Sequence, residues 1–211
     1  MKPLAPSDAP AGPARRGRPP KRHPAGTDLR DALVAAAADE FRETGYFNTQ
    51  SNRIAQRAGL SPGVFYNYFS DKVEVLLAVY ERWVEAEWAL IGQILATGET
   101  PSPAQLRRLV PAILQHHQHW FRLRHALVSL TRDEPRVEAA RTASRNRQVD
   151  GAIRLLGYRS SRRLRTEVAF RLLSVEAVAD CIASGEAARM QLDEAQLERQ
   201  LADSLISILT P

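Results

Sequence analysis

The chain has a single cysteine, Cys181, which excludes a disulfide scaffold and any multi-cysteine zinc or iron–sulfur centre. It has no apolar run approaching the length of a membrane-crossing helix. An apolar segment of the secretory type is missing from the first 25 residues. A cytoplasmic protein is therefore expected. Alternating Val/Ile/Thr patterns of strand type are also lacking, and so are internal repeats. No Ser/His/Asp set, phosphate-binding glycine loop or paired-carboxylate motif is present, so the sequence does not read as an enzyme. His116 and His119 share a helical face, yet no cysteine or carboxylate stands near them at ligand spacing, and neither a metal nor a cofactor is expected.

What is present is 211 residues with 44% hydrophobic and 25% charged side chains, the composition of a globular protein. The formal net charge is +5, and its placement is uneven. Residues 1–26 carry Lys2, Arg15, Arg16, Arg18, Lys21 and Arg22 against Asp8 alone, so the rest of the chain is neutral. That segment is rich in proline and glycine and too polar to fold by itself. It reads either as a solubilising leader or as a basic arm that touches nucleic acid. A second basic stretch, nine arginines within residues 136–165, is matched by acidic residues over 167–198 and reads as a solvated, paired helix face.

After residue 26 the periodicity is helical throughout. Thr27 or Asp28 caps a first helix that Gly45 ends. Thr49 is placed to cap a second, carrying Ile54, Ala55 and Ala58 and closed by Gly59. Ser61 and Pro62 open a short third helix to about Tyr68, and Ser70 caps a long fourth that Gly98 and Pro101 stop. Further helices are expected near 103–118, 120–131, 134–156, 161–185 and 193–209, with Pro111 kinking or splitting the first of these. The predicted fold is all-α: a three-helix unit (27–72) joined through a long fourth helix to a larger bundle (73–211).

The stretch 49–72 carries the most information. Short helix, glycine turn, short helix is the helix-turn-helix pattern, whose second helix can enter a major groove. The side of that helix away from Phe65 and Phe69 is formed by Pro62, Gly63 and Val64, which permit close approach, and by Tyr66, Asn67 and Tyr68. Asparagine can read a base edge, and tyrosine hydroxyls can bond phosphate. Charged side chains are missing from 61–70. Lys72, in the first turn of the next helix, is placed to meet phosphate.

The run Ile54-Ala55, Ala58-Gly59-Leu60-Ser61, Gly63-Val64-Phe65-Tyr66-Asn67-Tyr68-Phe69, Lys72 and Leu76-Leu77 resembles the TetR-type transcriptional regulators over about residues 27–80. The resemblance implies a dimeric regulator of double-stranded DNA, with a palindromic operator and a small-molecule effector that releases it. An architectural or activating DNA-binding protein without a sensor is the alternative. It implies that Pro62, Gly63, Val64 and Asn67 face bases, that Tyr66, Tyr68 and Lys72 face phosphates, and that Ser61 also belongs to the DNA-binding surface. Thr49, Ser51 and Asn52 would contact the backbone or a base edge. Tyr68 stands where many members carry histidine. In the tail, Arg16-Gly17-Arg18-Pro19 resembles an AT-hook core, so Arg16 and Arg18 would lie in an A·T minor groove. The resemblance also implies an effector pocket in the bundle, for which Tyr80, Trp83, Trp88, His117, Trp120, Phe121, Arg124, Glu176 and Asp180 are candidates. A homodimer interface is expected on the last two long helices, through Leu164, Val168, Val175, Leu197, Leu201, Leu205 and Ile208, a stripe that intramolecular packing would equally explain.

Overall fold

The computed structural model describes residues 28–95 and 100–209, and every regular element among them is helical. Helix α1 (Leu29–Glu43) begins where the Asp28 carboxylate accepts the Arg30 N–H at 2.9 Å. It ends at Thr44 and Gly45, whose φ of 81° only glycine adopts without strain. Helices α2 (Ser51–Arg57) and α3 (Pro62–Tyr68) flank a turn in which Gly59 takes φ 76°. In that turn Leu60 N–H donates back to Ala55 O at 2.9 Å.

The cap of α2 differs from expectation. Gln50 occupies the capping position, while Thr49 is buried and its hydroxyl donates to Gly45 O at 2.8 Å. Thr49 therefore closes the loop before α2 instead of capping the helix. Helix α4 (Lys72–Leu95) is also capped one residue later than Ser70. Asp71 Oδ1 accepts the Glu74 N–H at 2.8 Å, and the Glu74 carboxylate accepts from Ser70 N–H at 2.6 Å. This reciprocal arrangement satisfies two N–H groups that would otherwise lack partners.

The remaining helices are α5 (Pro103–His119), α6 (Phe121–Leu130), α7 (Pro135–Leu155), α8 (Arg162–Ala183), the single turn α9 (Glu186–Arg189) and α10 (Glu194–Ile206). A 3-10 turn, Ser207–Leu209, follows. Helix α5 opens with a capping box between Ser102 and Gln105 and runs unbroken through Pro111, which faces solvent. Of the kink or split expected at that proline, the split does not occur. Gly185, with φ 71°, makes the corner that ends α8.

The three-helix unit has no core of its own. Phe41 of α1, Ile54 of α2, Phe65 of α3 and Phe69 are essentially fully buried, and they belong to one cluster with Val75, Leu76 and Val79 of α4. Leu123 and Leu127 of α6 and Val137 of α7 complete it. Removing a ring buried to this degree costs about 3–5 kcal/mol. Buried Glu40 of α1 adds a polar tie to α2 through Arg53 at 2.8 Å and Arg57 at 3.1 Å. A second cluster joins the end of α4 to α5, α8 and α10, and a third joins α7 to α8 and the C-terminal turn.

These last clusters use the residues expected at a dimer interface. Val175 and Leu201 are buried in the second, with Leu197 and Leu205 packed against it. Val168 and Ile208 are buried in the third, with Leu164 against it. The stripe is intrachain core. The helical period that marks an apolar face does not say whether the covering helix comes from the same chain or another.

Candidate functional site

Helix α3 turns two opposite faces to its surroundings. Phe65 and Phe69, four residues apart, point into the core. On the other side Ser61, Pro62, Gly63, Tyr66, Asn67 and Tyr68 are exposed, and Val64 is half-buried. Tyr66 is 57% exposed, a large aromatic with no core function. A Cβ at Gly63 would meet nothing within 4 Å, so the first turn of α3 is sterically open. Ser61 sits at the N-cap without a side-chain capping bond, which leaves its hydroxyl available. Ser51 and Asn52 lie in the first turn of α2, half-buried and exposed respectively.

Two of the expected contacts change. Thr49 is only 1% exposed and its hydroxyl is committed within the chain, so its side chain does not face a phosphate. Lys72 Nζ donates to Tyr46 O and Thr49 O, both at 2.8 Å, and lies 4.1 Å from the centroid of the Tyr46 ring. Burial pushes its pKa down. Its first task is to tie the loop before α2 to the start of α4, and one ammonium N–H is left over. Arg16 and Arg18 lie outside the described residues.

Below this unit a cavity opens between α4, α5, α7 and α8, reaching the C-terminal turn at Ile208. Its walls are mainly aliphatic: Ile91, Leu109, Ile113, Leu172 and Val175 among others. Of the pocket candidates, Tyr80, Trp83, Trp88, His117, Arg124 and Glu176 line it. Trp120, Phe121 and Asp180 do not. Trp120 packs on the cluster that α1–α3 share with α4, α6 and α7, and Phe121 lines a separate shallow groove beside Arg42 and Ile182. Helix α6 turns Arg124, Leu127 and Val128 to the cavity, so positions at its start point elsewhere. Asp180 acts from behind the wall by holding Arg124.

Glu87 and Arg141 also line the cavity and were not among the candidates. Their register carried the signal: Glu87 follows Tyr80 and Trp83 on α4, and Arg141 follows Val137 on α7, at helical spacing. Their charge disguised it. His117 is buried, and its Nε2 donates to Glu87 Oε1 at 2.9 Å, the tautomer a carboxylate partner selects. Arg124 donates from Nε and Nη2 to the two Asp180 oxygens, each at 2.9 Å, while Arg145 pairs with Glu176 at 2.5 Å. Burial opposes the charge on Arg124, but the Asp180 hydrogen bonds and the Glu176 field outweigh it and raise the pKa.

Next to this network, burial pushes the His116 imidazole below its ordinary range, against the pull of Glu87 and of the Trp83 carbonyl it faces at 3.3 Å. An unfolded histidine takes up a proton near pH ~6.5, and the folded one only at lower pH. The unfolded state thus binds more protons between those two values, and stability falls as pH drops through that window. Melting temperatures measured at pH ~7.5 and ~5.5 should show a smaller acid-induced drop in His116→Gln than in the native protein. Parallel drops would remove His116 as a source.

Gly151 of α7 faces the cavity's indole. A Cβ there would lie 2.7 Å from Trp88 Cη2, closer than atoms pack. Gly151→Ala should gain about 0.5–1 kcal/mol of helix preference and lose a similar amount to the clash. The expected result is little change in stability with a displaced Trp88 ring, read as a shifted tryptophan emission spectrum. An unchanged spectrum would show that the ring is not seated against α7.

Among the described residues no three His, Cys, Asp or Glu side chains converge as metal ligands, and no helix is long and apolar enough to cross a membrane. The geometry defines a class: a helix-turn-helix unit with an exposed, uncharged reading helix, fused through its core to a helical bundle that holds a cavity. A family model described as bacterial regulatory proteins, tetR family, matches residues 33–79. The HTH-type transcriptional activator FasR of Mycolicibacterium smegmatis is 36% identical over 117 residues, 54% of this chain and 51% of that protein. Matches to the curated relatives span about half of their length or less. A transcriptional regulator from Rhodococcus sp. RHA1 superposes with a TM-score of 0.66 at 20% identity, covering 85% of this chain and 95% of its own. The fatty acid degradation regulator FadR from Bacillus halodurans does so with a TM-score of 0.62 at 17% identity, again over 85% and 95%. At those identities the neighbours speak for the fold. Residues 33–79 thus resemble the helix-turn-helix region of bacterial tetR-family regulators, and the neighbours share the all-α fold.

Proposed function

We propose that the protein is a homodimeric repressor that binds an inverted-repeat operator through α3 and leaves it when a small, largely apolar effector fills the cavity. The observation that carries this reading is the shared core. Tyr80, Trp83 and Leu127 line the cavity and belong to the same packed cluster as Ile54 and Phe65 beneath the reading helix. A ligand that repacks those side chains acts directly on the spacing of α3 within a dimer. Effector and DNA must then oppose each other by linkage. The Arg16-Gly17-Arg18 segment would add a minor-groove contact and much of the salt dependence, since residues 27–72 are not basic.

The test is selection of bound duplexes from a random DNA pool by the purified full chain. An enriched inverted repeat supports the reading. Enrichment of A·T-rich DNA without a repeat would replace it with an architectural role driven by the tail. A second reading, activation, is favoured by the name of the M. smegmatis relative, a transcriptional activator. The two separate in a reporter strain lacking the protein, where the target transcript rises for a repressor and falls for an activator.

For the dimer, the face of α8 opposite the intrachain core is the candidate. It exposes Phe170 at 64% and Leu173 at 47%, an unusual outlay of apolar surface. Phe170→Glu with Leu173→Glu should give monomers in sedimentation at micromolar concentration. A persisting dimer would move the interface elsewhere.

A further inference from the structure

Three guanidinium groups stand on the cavity wall, and they differ in what they hold. Arg124 is spent on Asp180 through two bonds of 2.9 Å, with Glu176 a further 3.8 Å away. Arg171 gives Nε to Ser204 O at 2.8 Å, Nη1 to Glu167 O at 2.9 Å and Nη2 to Ser207 Oγ at 3.0 Å. Arg141 makes one bond, from Nη1 to Thr131 Oγ1 at 2.7 Å. Among the described residues no carboxylate oxygen comes within 4.0 Å of it. Its neighbour Arg145, one turn along α7, takes up Glu176.

The edge of Arg141 that carries Nε and Nη2 is therefore unpaired. That edge presents two parallel N–H donors, the geometry that matches a carboxylate. A guanidinium keeps its charge when half-buried, so the demand for an anion does not disappear. Trp83 also lines the cavity, and its Nε1 is buried without a hydrogen-bond partner among the described residues, a second donor awaiting an acceptor. Away from these groups the cavity is lined by aliphatic side chains such as Ile91, Leu109 and Leu172.

We propose that the cavity takes an amphiphile with one carboxylate head, which forks onto Arg141, and a hydrocarbon chain that lies between α4, α5 and α8. This rests on the reading of the cavity as the effector site. It goes further by assigning the head group and the residue that selects it.

The test uses the full chain and tryptophan fluorescence, since Trp83 and Trp88 line the cavity. The probes are octanoate, octan-1-ol and octyl phosphate below their aggregation limits. The native protein should bind octanoate at least ~10-fold more tightly than octanol, as a charge-assisted forked pair requires. Arg141→Met should bring octanoate down to the level of octanol and leave octanol unchanged, which also shows that the variant is folded. Equal binding of the two in the native protein, or a preference that survives in Arg141→Met, would overturn the head-group assignment and leave the cavity reading intact. Octyl phosphate preferred over octanoate, with the preference lost in Arg141→Met, would overturn the carboxylate and assign a phosphate in its place. Absence of all binding would instead bring down the cavity reading itself. If Arg141→Met does not fold, Arg141→Lys keeps a point charge without the fork. The preference should then shrink several-fold, and an unchanged preference would overturn the proposal.

Discussion

Replacing Arg124 with methionine should lower stability by about 3 kcal/mol, or about 6–12 °C in melting temperature for a protein of this size. Arg124 is 5% exposed and stands where α6, α8 and the cavity meet. Its two bonds to Asp180 and its place over the Trp83 ring, 5.6 Å from the centroid, hold three elements in one register. Methionine fills much the same volume, so the loss is chiefly electrostatic. Truncating one partner of a buried pair costs about 3–5 kcal/mol because the other charge is left uncompensated. Here the low end applies. Asp180 is 39% exposed and can regain water, and Glu176 keeps Arg145. Thermal melts followed by circular dichroism measure the change. The double variant Arg124→Met with Asp180→Leu should recover most of it, since neither charge then remains to be solvated. A double variant as weak as the single would show that shape, not charge, makes the site.

Asn67→Ala should reduce affinity for the selected operator about 10- to 100-fold, with stability unchanged within about 0.5 kcal/mol. Asn67 is exposed on α3 and its side-chain amide has no hydrogen-bond partner within the described residues. A free amide on a helix that enters a groove can donate and accept at one base edge, a contact worth about 1–3 kcal/mol of discrimination. Removing it costs the folded protein nothing it uses. Fluorescence anisotropy at one fixed salt concentration gives the comparison, because affinity for DNA varies steeply with salt. The loss should be confined to the cognate duplex, with binding to scrambled DNA unaltered. Equal losses on both would make Asn67 a phosphate contact, and no loss would remove it from the interface.

Much of the helix-turn-helix unit was legible in the sequence because its determinants are local. Gly45 and Gly59 stand where the backbone turns left-handed, Pro62 opens α3, and Phe65 and Phe69 repeat at helical spacing. Each acts through neighbours a few residues away. The errors came where a side chain is used over a longer distance. Thr49 looked like a cap, but a loop closing onto Gly45 claimed its hydroxyl. Lys72 likewise gives two of its three N–H groups to carbonyls more than 20 residues earlier in the chain, a use the local sequence does not show. The stripe from Leu164 to Ile208 was read correctly as apolar and could not be assigned a covering partner.

The sequence by itself determined the helical architecture, the helix-turn-helix pattern and the exposed, uncharged face of α3, since periodicity, capping residues and turn glycines operate within a few residues of chain. Only the tertiary structure decided that α6 and α7 complete the core beneath the helix-turn-helix unit. It also decided which of several charged side chains surround the cavity, and that Arg141 stands among them without a carboxylate partner among the described residues. A cavity is the space left between helices far apart in sequence, and a charge is paired or unpaired according to what the fold brings beside it. Neither property belongs to any single stretch of residues.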